Sequence, residues 1–369
     1  MSSFKRHLKP FSRRLGMQVV YNKDIFIDFS SNDYLGLASA PDLIKRTALQ
    51  IQKSSQLGST SSRLLSGDST LHHSFEKDLC DFISYESCLC FPSGFQLNCS
   101  IFKSLYSKKD IIFCDKQSHA SLLDGIELSK ATLKRYAHND LTHLEKLLNT
   151  HRKSHQKALI VTEGLFSMDG DIAPLRELIK LKKRYDCELF LDEAHSFGIF
   201  GEGRGLAYEL GCQHDIDFSV IAFGKAMGVQ GACIATSQSY KEQIIQHCRG
   251  FIYSTGIAPL LIIALKNNLE ALKENPALGN KLQLKAQKLR DTLSKKLKLP
   301  ILGDAQIISL ICPSETDCLA LSQRLKSAGL LAHPIFYPTV PKTLPRIRIC
   351  LSLLHTDDAI DTLVDTLCH

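Results

Sequence analysis

The chain has 369 residues, 44% hydrophobic and 22% charged, with a net charge of +7. That is the composition of an ordinary folded protein with room for one large α/β domain and a smaller one. The positive charge is spread over helix-like runs such as Lys180–Arg184, with no aromatic platform beside it, which argues against nucleic-acid binding. The longest apolar run, near Leu260–Leu265, is too short to span a bilayer, and the basic start lacks an apolar signal core, so a cytoplasmic protein is expected, away from membranes. The thirteen cysteines are odd in number and form no CxxC pair. Most stand in strand-like runs, where Cys packs as a small hydrophobe, so neither a disulfide framework nor a zinc site is expected. His151 and His155 have metal-ligand spacing but lie in a basic stretch that would repel a cation, and no metal is assigned.

In chain order, residues 1–30 read as a helix-like basic segment, a turn at 22–24 and a strand at 25–29. The polar loop Ser30–Leu37 follows, holding Asn32, Tyr34 and Gly36, residue types that turns and ligand loops share. Gly58–Gly67 is hydroxyl-rich and non-periodic, either a phosphate lining or a flexible loop. From about residue 80 strands and helices alternate. Cys88–Phe91 reads as a strand, and Ser93-Gly94-Phe95 opens the next helix. Free N–H groups at a helix start make an anion site, so Gly94 and Phe95 are the phosphate candidates. Ile111–Cys114 is the next strand, with His119 at the following strand–helix junction. That imidazole is a surface group, a helix cap or a plate for a flat ring. Thr132–Tyr136 is a strand, and Asp140 caps the helix 141–148. Ala158–Thr162 is a strand that delivers Ser167 past its end, while 169–171 reads as a turn. Pro174 begins the helix running to Tyr185. The β-then-α order predicts a mostly parallel sheet covered on both faces.

The stretch ELFLDEAHSFGIFGEGRG, 188–205, places Asp192 and His195 just past a buried apolar strand, where functional groups of open α/β sheets collect. DEAH also labels a helicase box, but that reading needs a G-x-x-x-x-G-K-[ST] loop, and the chain has none. The strand-like run 218–222 delivers Lys225 at its own end. A carboxylate and a lysine at neighbouring strand ends suit pyridoxal 5′-phosphate (PLP), the lysine forming a Schiff base and the acid pairing with the pyridine nitrogen. A buried ion pair with no cofactor is the open alternative. From about residue 258 two long amphipathic helices, 258–274 and 278–297, lead into the strand 307–311. The helix 318–328, the strand 331–335, the loop 337–341, the strand 346–351 and a last helix from Thr356 follow. This reads as a smaller α+β domain. Arg346 and Arg348 share a strand face and form a candidate carboxylate fork, one of the two better suited to solvent. The expected division is an N-terminal segment 1–45 packing with the small domain, a large domain 46–255 and a small domain 256–369.

Nearly end to end, the chain resembles the α-oxoamine synthase family of PLP enzymes. The resemblance rests on SSNDYLGL (30–37), PSGF (92–95), SHASLLDG (118–125), AHNDLTHLEKLL (137–148), VTEGLFSMDGD (161–171), the DEAH stretch, FGKAMGVQGA (223–232), IYST (252–255), and PTVP with RIR. It is nearest to the members that join L-alanine to a pimeloyl thioester of coenzyme A or acyl-carrier protein. It implies the aspartate-aminotransferase type of fold, PLP-dependent fold type I, and a homodimer. It also implies roles. Lys225 would bind the cofactor covalently, Asp192 would hold the pyridine nitrogen and His119 would stack on the ring. Ser167 and His195 would meet the phenolic oxygen. Gly94 and Phe95 would hold the phosphate, joined by Ser254 and Thr255 reaching in from a partner. Asn32 and Arg348 would position the amino-acid carboxylate, and Thr339 and Arg6 would meet the acyl substrate. Two departures stand out. Ala222 replaces the hydroxyl residue usual three places before the lysine, and Ser59–Ser62 replaces paired glycines. Glycine-using members and catalytically silent subunits share many of the motifs and stay open as alternatives.

Overall fold

The structure is a computed structural model that describes residues 8–54 and 56–368. The described residues fall into two compact units: 41–166 with 173–276, and 8–40 with 167–172 and 277–368.

The first unit is built on a seven-stranded sheet. Its order is Ser87–Phe91, Ala232–Thr236, Phe218–Ala222, Glu188–Asp192, Ala158–Glu163, Ile111–Asp115 and Thr132–Tyr136. Only Ala232–Thr236 runs antiparallel to its neighbours. Strands such as Ala158–Glu163 and Ile111–Asp115 are buried at every position, as continuous apolar runs demand in a sheet covered on both faces. The helix Gly94–Leu105 packs Leu97, Ile101 and Phe102 on this core with Phe190, Val220 and Ile234. The expected cap at Asp140 is present: its Oδ1 accepts from His143 N at 2.9 Å. The helix Pro259–Glu274 belongs to this unit and packs on Pro41–Gln52 and Thr70–Ile83, whereas the sequence division opens the smaller domain at 256.

The second unit holds two four-stranded sheets. One runs Arg13–Leu15, Gln18–Tyr21, Asp24–Asp28 and Leu330–Leu331; the other runs Ile301–Leu302, Ile307–Ile311, Arg346–Cys350 and Pro334–Ile335. The basic segment expected to be helical is a β-hairpin over its described part. Gly16, at φ 57°, makes the turn, and Val19, fully buried against Phe26 and Leu331, shows why: the segment alternates rather than repeating every 3.6 residues. The single strand expected at 331–335 is two short ones, joining different sheets. Pro334 lacks the N–H that an uninterrupted ladder needs. The expected helix at 318–328 starts earlier, at Glu315, because Ser314 Oγ accepts from Asp317 N at 3.1 Å. All thirteen cysteines are free thiols. Among the described residues no helix is long and apolar enough to cross a membrane.

Candidate active site

Three central strands end side by side. Register pairs Glu163 with Asp192, and Asp192 with Val220, so the strand that leads to Lys225 runs beside the one that ends at Asp192. Asp192 is only 5% exposed. Its Oδ1 accepts from Ala194 N at 2.9 Å and its Oδ2 from Asn98 Nδ2 at 3.1 Å. A buried carboxylate held by only two donors still has lone pairs for a ligand.

A hydrogen-bonded chain leads outward from that carboxylate. Asn98 Nδ2 also donates to Ser121 Oγ at 3.1 Å, and Ser121 Oγ lies 2.8 Å from His119 Nδ1. His119 is the N-cap of the helix Ala120–Ser129. Its peptide N–H donates to Glu163 Oε1 at 2.6 Å, and its ring meets the exposed Phe95 ring edge-on, 6.5 Å between centroids. Burial depresses the His119 pKa; Asp192 works against this and the Lys225 cation adds to it. The same two charges act on Glu163, whose carboxyl is pushed up to about 8, first by burial and then by repulsion from Asp192, while Lys225 pulls it back. Lys225 and Asp192 therefore share the field around His119 and Glu163. His195 is buried in the turn that follows Asp192.

The phosphate candidate is an ordinary capped helix start. Ser93 Oγ accepts from Gln96 N at 3.1 Å, and the first-turn N–H groups of Gly94 and Phe95 lie outside the helix's own ladder. The hydroxyl-rich loop is tied to residues 255–257. Ser62 pairs with Thr255, Gly256 N donates to Ser61 O at 3.0 Å, and Ser59 Oγ donates to Ile257 O at 2.8 Å. Arg63 in that loop is spent on buried Glu76 and on Asp68. Ser254 and exposed Thr255 lie beside this junction.

The remaining candidates lie in the second unit. Arg346 and Arg348 are 1% and 9% exposed, so the expectation that one faces solvent is corrected. The reason is a partner for each. Arg346 pairs with Asp169, while Arg348 Nε donates to Ser167 O at 2.5 Å and its Nη atoms approach Asn32 Oδ1 at 3.3 and 3.4 Å. Tyr34 OH donates to the same Asn32 oxygen at 3.1 Å. With its oxygen so occupied, Asn32 offers an external ligand its NH2 group. Thr339 is exposed in its loop, and Arg6 lies outside the described residues.

The class I and II aminotransferase profile matches residues 24–367. The chain belongs to that family. Among its relatives, the 8-amino-7-oxononanoate synthase of Nitrosomonas eutropha is 39% identical, over 92% of this chain and 88% of its own length. A solved 8-amino-7-oxononanoate synthase from Francisella tularensis superposes with a TM-score of 0.80 at 30% identity, covering 93% of this chain and 97% of its own. A serine palmitoyltransferase from S. paucimobilis, solved with a PLP–myriocin adduct, gives a TM-score of 0.92 at 26% identity over 98% and 91%. The fold is the aspartate-aminotransferase type expected, and the cofactor of this aminotransferase-family chain is PLP. The residues fit it: a carboxylate with spare lone pairs for the ring nitrogen, an imidazole for a ring face, a helix start for the phosphate and a lysine for the carbonyl carbon.

Sequence reasoning missed Asn98, Ser121 and Glu163. Asn98 had a signal, a lone amide on a helix face otherwise made of Leu97, Ile101 and Phe102. Glu163 had none, since it reads as the last residue of a strand.

Proposed function

We propose that this chain joins L-alanine to a pimeloyl thioester, releasing CO2 and the free thiol and giving 8-amino-7-oxononanoate. One observation supports this most: the buried, doubly held Asp192 carboxylate sharing its surroundings with His119 and Lys225, in a chain whose near-full-length relatives bear that enzyme's name. PLP, when bound, supplies an electron sink for negative charge at the α-carbon of the amino acid. The chain's own residues do the rest. Asp192 holds the proton on the ring nitrogen, which keeps the sink electron-poor. Lys225 Nζ holds the cofactor before the amino acid arrives, then takes the α-proton and later returns one. His119 covers a ring face, and His195 and Ser167 hold the phenolic oxygen. The N–H groups of Gly94 and Phe95 take the phosphate. Arg348 and the Asn32 NH2 take the alanine carboxylate, and Thr339, with Arg6, meets the acyl chain. A carbon–carbon bond forms between the alanine α-carbon and the acyl carbon as the carbon–sulfur bond breaks; the carboxylate leaves as CO2, and the α-carbon is reprotonated.

We take the working form to be a cytoplasmic homodimer, with Ser254 and Thr255 serving the neighbour's phosphate. Leu57, Leu65 and Tyr253 support a second copy here, being 71%, 81% and 71% exposed on the segments that carry the Ser62–Thr255 bridge and its flanks. Exposed apolar side chains grouped in this way mark association surfaces. The test is CO2 release by the PLP-loaded protein, crossing alanine, glycine and serine with pimeloyl, acetyl and palmitoyl thioesters. Alanine with pimeloyl thioester is the expected pair. Release with glycine alone, or with serine and the palmitoyl thioester, would overturn the assignment.

A further inference from the structure

Glu163 is a buried acid beside Asp192 to which the proposed reaction gives no task. The two residues are register partners on adjacent parallel strands, so their side chains leave the sheet on the same face. They are 3% and 5% exposed. Asp192 receives two hydrogen bonds, including one from a side-chain amide. The Glu163 carboxyl receives one, from the His119 peptide N–H. Two neighbouring carboxyls this deeply buried repel one another when both are charged, and the one with fewer donors keeps its proton.

Resting on the PLP reading above, we infer that Glu163 is a positioning residue acting as a neutral carboxylic acid: its oxygen fixes the His119 peptide, and its retained proton keeps a second buried negative charge away from Asp192. The groups around it agree. Burial and Asp192 raise Glu163 to about 8; the His119 N–H and the Lys225 ammonium oppose this, and Asp115, at the end of the neighbouring strand, adds to it. Asp115 is itself engaged by His138 at 2.9 Å. The Cys114 thiol, in the same region, is pushed up to about 12 by burial and stays uncharged. A charged Glu163 would compete with Asp192 for any cation placed between them; a neutral one accepts from the His119 N–H without adding a second negative charge.

Glu163→Gln and Glu163→Ala in the 369-residue chain separate the two tasks. Glutamine keeps a carbonyl acceptor and is permanently neutral; alanine removes the acceptor. PLP affinity, measured by absorbance titration, is expected to stay within about threefold of wild type in the glutamine variant and to weaken about tenfold or more in the alanine variant, which leaves a buried N–H unpaired. The second readout is the urea midpoint of the cofactor-free protein against pH. A carboxyl raised from 4.5 to about 8 contributes stability that is full below the lower value and lost as pH rises through the upper one. The wild type should therefore lose stability across that window, and Glu163→Gln should lose less. The inference is overturned if the glutamine variant binds PLP as weakly as the alanine variant, or if its pH profile matches wild type. Failure of the wild type to bind PLP would overturn the functional reading instead, while the unfolding profile would still decide the state of Glu163.

Discussion

Replacing Asp192 with asparagine separates charge from shape. The scaffold tolerates the change. The Ala194 N–H can still donate to the amide oxygen at residue 192, which replaces a bond of 2.9 Å. On the other side, the new NH2 group would face the Asn98 NH2, which now donates at 3.1 Å. Asn98 Oδ1, however, is buried without a partner, so rotating the Asn98 amide restores a donor–acceptor pair. One hydrogen bond is exchanged for another, and folding stability should fall by about 1 kcal/mol or less. The charge has no such substitute. A carboxylate that raises the ring-nitrogen pKa by two to three units supplies roughly 3–4 kcal/mol, so turnover should drop by about a hundredfold to a thousandfold. The assays are CO2 release from alanine with pimeloyl thioester, thermal melting and the absorbance of bound cofactor. Asp192→Asn should melt close to wild type, retain PLP and turn over slowly. Near-normal turnover would refute the role of Asp192, and outright loss of the fold would refute the argument from Asn98.

Lys225→Ala should abolish covalent attachment: PLP should dialyse away, and borohydride should leave no change in the visible spectrum. Ala222→Ser adds a hydroxyl where the Ala222 methyl lies 3.6 Å from the position of a Cβ built on Gly94, at the proposed phosphate site. One added hydrogen bond to a charged group should tighten PLP by about tenfold in equilibrium dialysis, and unchanged affinity would show that the phosphate lies elsewhere. His355 is buried, stacks on Phe29 at 4.0 Å, and accepts from Ser352 N at 3.0 Å. Burial holds its pKa down to about 4 against 6.5 for a free imidazole. The unfolded chain therefore binds the extra proton first, and stability present above pH 6.5 is lost as pH falls toward 4, by up to about 3 kcal/mol. In His355→Gln, denaturant midpoints across that range should be flatter than in wild type.

The central sheet was legible because its strands are continuous apolar runs bounded by turn residues, and Val161, Phe190 and Val220 are buried as such runs require. The antiparallel direction of Ala232–Thr236 was not legible, because an isolated apolar run carries no mark of its direction. The hairpin at 13–21 was misread because its basic residues resemble a solvated helix face; Val19, buried beneath them, decides the matter only once Phe26 and Leu331 are in place. The burial of Arg346 was hidden for a similar reason. Its partner, Asp169, lies 177 positions away in sequence, a distance no local pattern spans. The same limit hid Asn98, whose partner Asp192 is 94 positions on.

The DEAH stretch shows how two adjacent acids divide their work. Asp192 stands at the strand end with lone pairs to spare. Glu193, one residue on, turns its carboxyl inward, where it takes Leu206 N at 2.7 Å, Ala207 N at 3.1 Å and the Ser196 hydroxyl. The glycines that follow make this possible. Gly205 sits at φ +111°, and a Cβ there would stand 2.7 Å from a Glu193 oxygen. Gly198, Gly201 and Gly203 also have positive φ, and together they fold the loop back over the acid. That closed loop begins at Asp192 and contains His195, so Glu193, bonded to the chain on both oxygens, fixes the backbone on which the two polar candidates are mounted. Gly205 therefore serves the packing of Glu193, and through it the backbone that carries Asp192 and His195.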